Sequence, residues 1–406
     1  MNAVPPSPHA EVVIDLGAVR HNVRRLRELV SASPDAAEDA AAGNGTTTAP
    51  KIMVVVKADG YGHGMVPVAR AAREAGAEWL GVATGEEALA LRDSGDDGRV
   101  LCWLAAPGAD FGPLVEADVD VTAYSVSQLD DILRGAREAD RVARVQLKFD
   151  TGLSRGGAPR SEWLALVTAA RLAEEDGTAR VTGLWSHFAC SDQPDHPSNA
   201  LQEASFAEAC ALADDSGLRP EVRHLANSAG ALLLPSARHD LVRLGIAAYG
   251  LTPAPEVTSS SELGLVPAMT VRGTVVLAKE VAAGDGVSYG HTFVAAEPMR
   301  VALVPMGYGD GVPRHASSTA EVLVDGSRGR VLGRICMDQF VVEAPEVHAG
   351  DEVVLFGPGT RGEPTAQDWA EWCGTISYEI VTRMGGRQTR TWVDPEADAD
   401  EQEEVP

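Results

Sequence analysis

The sequence is poor in cysteine. Five occur in 406 residues (Cys102, Cys190, Cys210, Cys336 and Cys373), widely spaced and without a Cys-x-x-Cys pair. That count and spacing argue against a disulfide framework and a structural zinc site. Basic residues are scarce as well: 34 Lys and Arg stand against 59 Asp and Glu, a net charge of −25. Nucleic acids and acidic membrane surfaces recruit cationic surface, so neither is expected as a partner. No run of about 18 apolar residues is present, which leaves no membrane span. The N-terminus lacks the charged start and apolar stretch of a secretory signal. A reduced cytoplasm is the expected setting. H-E-x-x-H and G-x-x-x-x-G-K-[ST] are absent and the ten histidines are scattered, so no catalytic metal is expected. Gly60-x-Gly62-x-Gly64 and Gly307-x-Gly309-x-Gly311 have the wrong spacing for a dinucleotide fingerprint.

What is present is the balance of a soluble folded protein, 45% apolar and 23% charged. From residue 12 to about 250, short β-rich runs alternate with helical patterns. Asp15 can cap a helix whose Leu16, Val19, Val23, Leu26 and Val30 form one apolar face. Residues 31–50 are polar and rich in Ala, Gly and Thr, the mark of a surface insertion. Candidate strands follow at Ile52–Lys57, Trp79–Ala83, Val100–Leu104, Val119–Ala123, Arg144–Phe149, Val181–His187, Arg223–Ala226 and Leu241–Ile246. This alternation suits a (β/α)8 TIM-type barrel over 11–255; a doubly wound sheet shares the pattern. After 255 the runs are short and β-rich, with Asp325-Gly326 as a hairpin signal. They predict a mostly β C-terminal domain over 256–393, with the N-terminal segment a candidate addition. Residues 394–406 carry seven carboxylates and no base, as a solvated, disordered tail would.

In a barrel, functional groups gather where strands end. Lys57, Lys148, His187, Ser228 and Arg243 fall at such positions, with Arg155 seven residues beyond Lys148. Each has a plainer reading: a solvated lysine, a core histidine, a capping serine. Lys57 departs from it because three valines precede it and a Gly-rich loop follows. A lysine on a buried strand must be paired, neutral or modified. Arg243 within an apolar strand cannot lose its proton and must find acceptors.

Nine segments in order resemble alanine racemase, a family of fold-type III pyridoxal-phosphate enzymes. They are VVVKADGYGHG, DTGLSRGG, SHFACSD, ANSAG, LVRLGIAAYG, DGVSYG, GYGDGVPR, GRICMDQ and TISYEIVTR, spread over residues 11–393. The resemblance implies that Lys57 holds pyridoxal 5'-phosphate and acts as one catalytic base. Tyr289 would be the second base, donated by the other subunit of a homodimer. Tyr61, Ser228, Gly245, Ile246 and Tyr378 would hold the phosphate. Arg243 would face the pyridine nitrogen with His187 behind it. Arg155 would meet the phenolic oxygen, and with Met337 and Tyr308 it would border the substrate site. Lys148 matches a lysine carried as a carbamate. Asp59-Gly60 and Gly309 depart from the commoner Asn-Ala and Ala, and the 31–50 insertion is not typical. The implied activity is interconversion of L- and D-alanine for peptidoglycan.

The nearest rivals are a broad-specificity racemase and a barrel-type pyridoxal-phosphate decarboxylase. The latter generally sets an acidic residue where Arg243 stands. A non-catalytic cofactor carrier would lack the β domain, and a sugar-phosphate barrel would need carboxylate or metal machinery.

Overall fold

The computed structural model describes residues 9–32 and 49–394. The polar insertion and the acidic tail expected from the sequence lie almost wholly outside the described residues. The chain opens with β1 (Ala10–Asp15) and the helix Leu16–Ser31. Asp15 caps that helix by accepting from the Ala18 amide at 2.9 Å, and Val19, Val23, Leu26 and Val30 are buried, as their spacing predicts.

Eight parallel strands then form one sheet: β2 (Lys51–Val55), β3 (Trp79–Val82), β4 (Arg99–Cys102), β5 (Asp120–Ala123), β6 (Ala143–Lys148), β7 (Ala179–Trp185), β8 (Val222–His224) and β9 (Leu241–Leu244). Neighbours in sequence are neighbours in space, and β9 returns to β2. Between β8 and β9, Asp240 N donates to Arg223 O and Arg243 N to Ala226 O, both at 3.1 Å, which nearly closes the barrel. Met53, Trp79, Leu101, Trp185, Val222 and Leu241 form a cluster apart from the main core. They fill the lumen as a packed layer. Every predicted barrel strand is present, most with ends shifted by one or two residues. One shift matters: β2 stops at Val55, so Lys57 sits beyond the strand, not on it.

The second region is a nine-stranded sheet. Its further strands are β10 (Met269–Thr274), β11 (Leu277–Val281), β14 (Met299–Val304), β15 (Glu321–Val324), β16 (Ser327–Leu332), β17 (Phe340–Glu343), β18 (Glu352–Phe356) and β19 (Thr389–Val393). A separate ribbon pairs β12 (Gly286–Val287) with β13 (Phe293–Val294). Asp325 and Gly326 turn β15 into β16 with φ of 45° and 77°, the two positive values a type I′ hairpin requires. β1 lies antiparallel to β10 and parallel to β19, so the first described strand is built into the second sheet.

Candidate active site

A cavity of about 720 Å³ opens at the C-terminal mouth of the barrel. Lys57, Tyr61, Lys148, Arg155, His187, Ser228, Arg243, Gly245, Ile246 and Tyr378 all line it. Trp103, Trp185, Asn227, Glu379 and Arg383 line it too and were not singled out from the sequence. Tyr289, Tyr308 and Met337 do not. They lie on the β region, 71%, 41% and 52% exposed. The segments of Tyr308 and Met337 are joined by backbone bonds, and Ser288, beside Tyr289, reaches the residues before Met337 through its side chain. Tyr308 N donates to Cys336 O and Gly309 N to Met337 O, while the Ser288 hydroxyl donates to Arg334 O.

Lys57 is followed by a left-handed turn. Ala58, Asp59, Gly60 and Tyr61 have φ of 53°, 53°, 61° and 54°. Three of these are not glycine, and each left-handed L-residue costs roughly 1–2 kcal/mol. The turn sets the Lys57 amine at one end and the Tyr61 phenol at the other. The Lys57 amine lies 5.8 Å from the Trp103 ring centroid. Burial, and then the Arg155 charge, hold the lysine below its ordinary range, against a smaller opposing pull from Glu87. Lys148 is pushed down to about 8 by burial, then by Arg243 and Arg155.

Arg243 is the floor of the cavity. It donates to the carbonyls of His224, Ser186 and Leu225 at 3.2, 2.8 and 2.9 Å, and to Nδ1 of His224 and His187 at 2.9 and 3.2 Å. An arginine only donates, so both Nδ1 atoms accept and both imidazoles carry their proton on Nε2. His224 then donates from Nε2 to Gln146 Oε1 at 2.8 Å. Burial and the Arg243 charge drive both histidines well below the usual range, so each is neutral. Burial lowers Arg243 to about 9, which leaves it charged at neutral pH. Sequence reading found His187 but missed His224. Its only signal was a histidine within a short apolar strand.

The opposite end is made of hydroxyls and amides. Gly245 N donates to Ser228 Oγ at 2.8 Å. A Cβ at Gly245 would lie 2.5 Å from Tyr61 Oη, so a glycine is required for that phenol to approach. Tyr61 packs beside Tyr378 with ring centroids 6.2 Å apart. Burial first, and then mutual or acidic neighbours, raise both phenols, so they stay protonated and able to donate. Among the described residues, none of Lys57, Lys148, Arg155 and Arg243 forms an ion pair with a carboxylate. The site is therefore positive within an acidic molecule and ready for an anion.

The comparisons agree in both regions. Residues 14–253 match the model for the alanine racemase N-terminal domain, and 268–392 the model for its C-terminal domain. Alanine racemase of Streptomyces coelicolor is 52% identical over 391 residues, covering 95% of this chain and 96% of the relative. That of Mycobacterium leprae is 48% identical over 391 residues, with the same coverage. The crystal structure of alanine racemase from D-cycloserine-producing Streptomyces lavendulae superposes with a TM-score of 0.90 at 50% identity, covering 97% of this chain and 99% of that one. Matched along almost all of its length and in both of its regions, the chain belongs to the alanine racemase family of isomerases.

Proposed function

We propose that the protein interconverts L- and D-alanine with pyridoxal 5'-phosphate, through two bases on opposite faces of the substrate Cα. The observation that carries this is the strained turn that sets the half-buried Lys57 amine and the Tyr61 phenol into one positive cavity. The residues fit the cofactor. The cavity has room for a small aromatic phosphate. Gly245 leaves bare backbone under the Tyr61 hydroxyl, and among the described residues Lys57, Lys148, Arg155 and Arg243 pair with no carboxylate, unlike Arg383, which pairs with Glu379. Ser228, Tyr61, Tyr378 and the amides of Gly245 and Ile246 would hold the phosphate, Arg243 the pyridine nitrogen and Arg155 the phenolic oxygen.

The bound cofactor supplies an electron sink conjugated to the substrate Cα. Lys57, depressed by burial and Arg155, is available as neutral amine and takes or returns a proton on one face. Tyr289 serves the other face. It is absent from the cavity lining of its own chain and stands exposed. A second copy of the chain supplies it, so the working unit is a homodimer. Arg243 can only donate, so a pyridine nitrogen held against it would stay unprotonated and the sink would be shallow. Reprotonation is then fast and side reactions few, a racemase's need and not a decarboxylase's. Lys148, with its lowered amine, is set up to form a carbamate that would orient Arg155. Met337 and Tyr308 border the substrate's entrance. The setting is cytoplasmic and the product serves peptidoglycan.

The purified protein should carry a visible cofactor band and wash deuterium into alanine Cα as optical activity decays in D2O. A colourless protein that stays inert after cofactor addition overturns the reading. Mixing Lys57→Ala with Tyr289→Phe chains should recover activity in heterodimers. No recovery after verified exchange would place the second base in cis.

A further inference from the structure

The last described strand reaches the turn that follows Lys57. In β19, Arg390 and Trp392 share one face, as residues two apart on a strand do. Arg390 pairs with the Asp59 carboxylate, whose other oxygen accepts from Met65 N at 2.9 Å. Trp392 donates from Nε1 to His63 O at 2.8 Å, and its ring lies where a Cβ on Gly64 would fall, 2.7 Å away. Asp59 and His63 bracket the left-handed residues Gly60 and Tyr61. The alternate residue Thr391 faces the other way and donates to Glu11 at 2.7 Å.

We propose that Arg390 and Trp392 are positioning residues for Lys57: with Asp59, they clamp the left-handed turn from the second domain and so fix where the lysine amine sits. The clamp rests on the reading of Lys57 as a base only for its catalytic consequence. The Arg390–Asp59 pair is partly exposed, 24% and 57%, and exposed pairs add little to global stability. Its effect is local. Without it, a backbone that favours right-handed φ relaxes and carries the amine toward water, away from Arg155. The Asp59 carboxylate supplies the charge that the clamp needs.

The test uses full-length Arg390→Ala, Asp59→Asn, their double variant and Arg390→Lys. Competitive amine labelling with mass spectrometry, on protein stripped of cofactor, reads the titration of Lys57, with Lys148 as internal control. In Arg390→Ala the Lys57 midpoint should rise by about one pH unit while Lys148 stays in place and the thermal midpoint hardly moves. In the holoenzyme, kcat should fall about tenfold with KM within twofold. Asp59→Asn should do the same, the double variant no worse, and Arg390→Lys should restore most of the loss. An unchanged Lys57 profile in both Arg390→Ala and Asp59→Asn overturns the clamp, whether or not kcat falls. A shifted profile in a protein that racemises nothing would keep the clamp and sink the functional reading instead.

Discussion

At the N-terminal mouth of the barrel, Arg99 and Arg144 meet the fully buried Asp120 at 2.8 and 3.2 Å, and Arg99 also meets Glu221 at 2.7 Å. Thr182 adds its hydroxyl to the same carboxylate. At the C-terminal mouth, Arg243 and Lys148 are as deeply placed but are held by carbonyls, imidazoles and the face of Trp185, 5.1 and 4.3 Å away. One mouth is neutralised and the other is left cationic. Buried charge without a counter-ion is unfavourable, so an unneutralised cluster marks where a ligand supplies the missing charge. The same fold thus separates a stabilising end from a chemical one.

The contrast can be broken in order of effect. Lys57→Ala should lower kcat by about 10⁴-fold and abolish the visible band, with the folded state intact by circular dichroism. Arg243→Glu puts an acid at the floor of the cavity in place of its buried cation. It should slow racemisation by about 10²-fold and give a new long-wavelength band with alanine. An unchanged rate and spectrum would remove Arg243 from the chemistry. Asp120→Ala, at the opposite mouth, removes the carboxylate that Arg99 and Arg144 share but leaves them Glu221 and Asp118, and should reduce stability by about 1.5–3 kcal/mol in urea unfolding, with kcat unchanged.

Lys148 sharpens the comparison through pH. Its amine is near 8 in the folded chain and about 10.4 when unfolded. Below about 8 the buried ammonium destabilises in full. Between about 8 and 10.4 the unfolded chain binds more protons, so stability rises with pH. In CO2-free buffer, Lys148→Met should gain up to about 3 kcal/mol at pH 7, and the gain should vanish above about pH 10.4. Bicarbonate should shrink it by converting the wild-type amine to carbamate. The smallest effect is expected at the rim: Arg160→Ala breaks a solvent-exposed pair with Glu208 and should change stability by less than about 0.5 kcal/mol.

The barrel strands were legible because buried parallel strands read as apolar runs. β11 and β19 were not. LAKEV and TRTWV sit at the edges of their sheet, half exposed and mixed in character, so no periodicity betrays them. The site was legible as motifs but not as geometry. Nothing near Lys57 in sequence announces that Arg390 lies against Asp59, or that His224 and Gln146 stand behind Arg243. The left-handed turn is fixed by contacts from residues more than 300 positions away, and local preference alone would not choose it. The exposed Tyr289 is the reverse case: its motif is plain, and its own chain leaves it outside the cavity.

The parallel pairing of β1 with β19 has a consequence for how this molecule is made. Glu11 sits opposite Thr389. At ordinary synthesis speeds of about 5–20 residues per second, the opening strand emerges roughly 20 to 75 s before its closing neighbour exists. Through that interval its hydrogen-bonding edge has no native partner on that side, a site for wrong pairing or chaperone capture. The edge of β1 that meets β19 is therefore completed late, long after the barrel strands have been made.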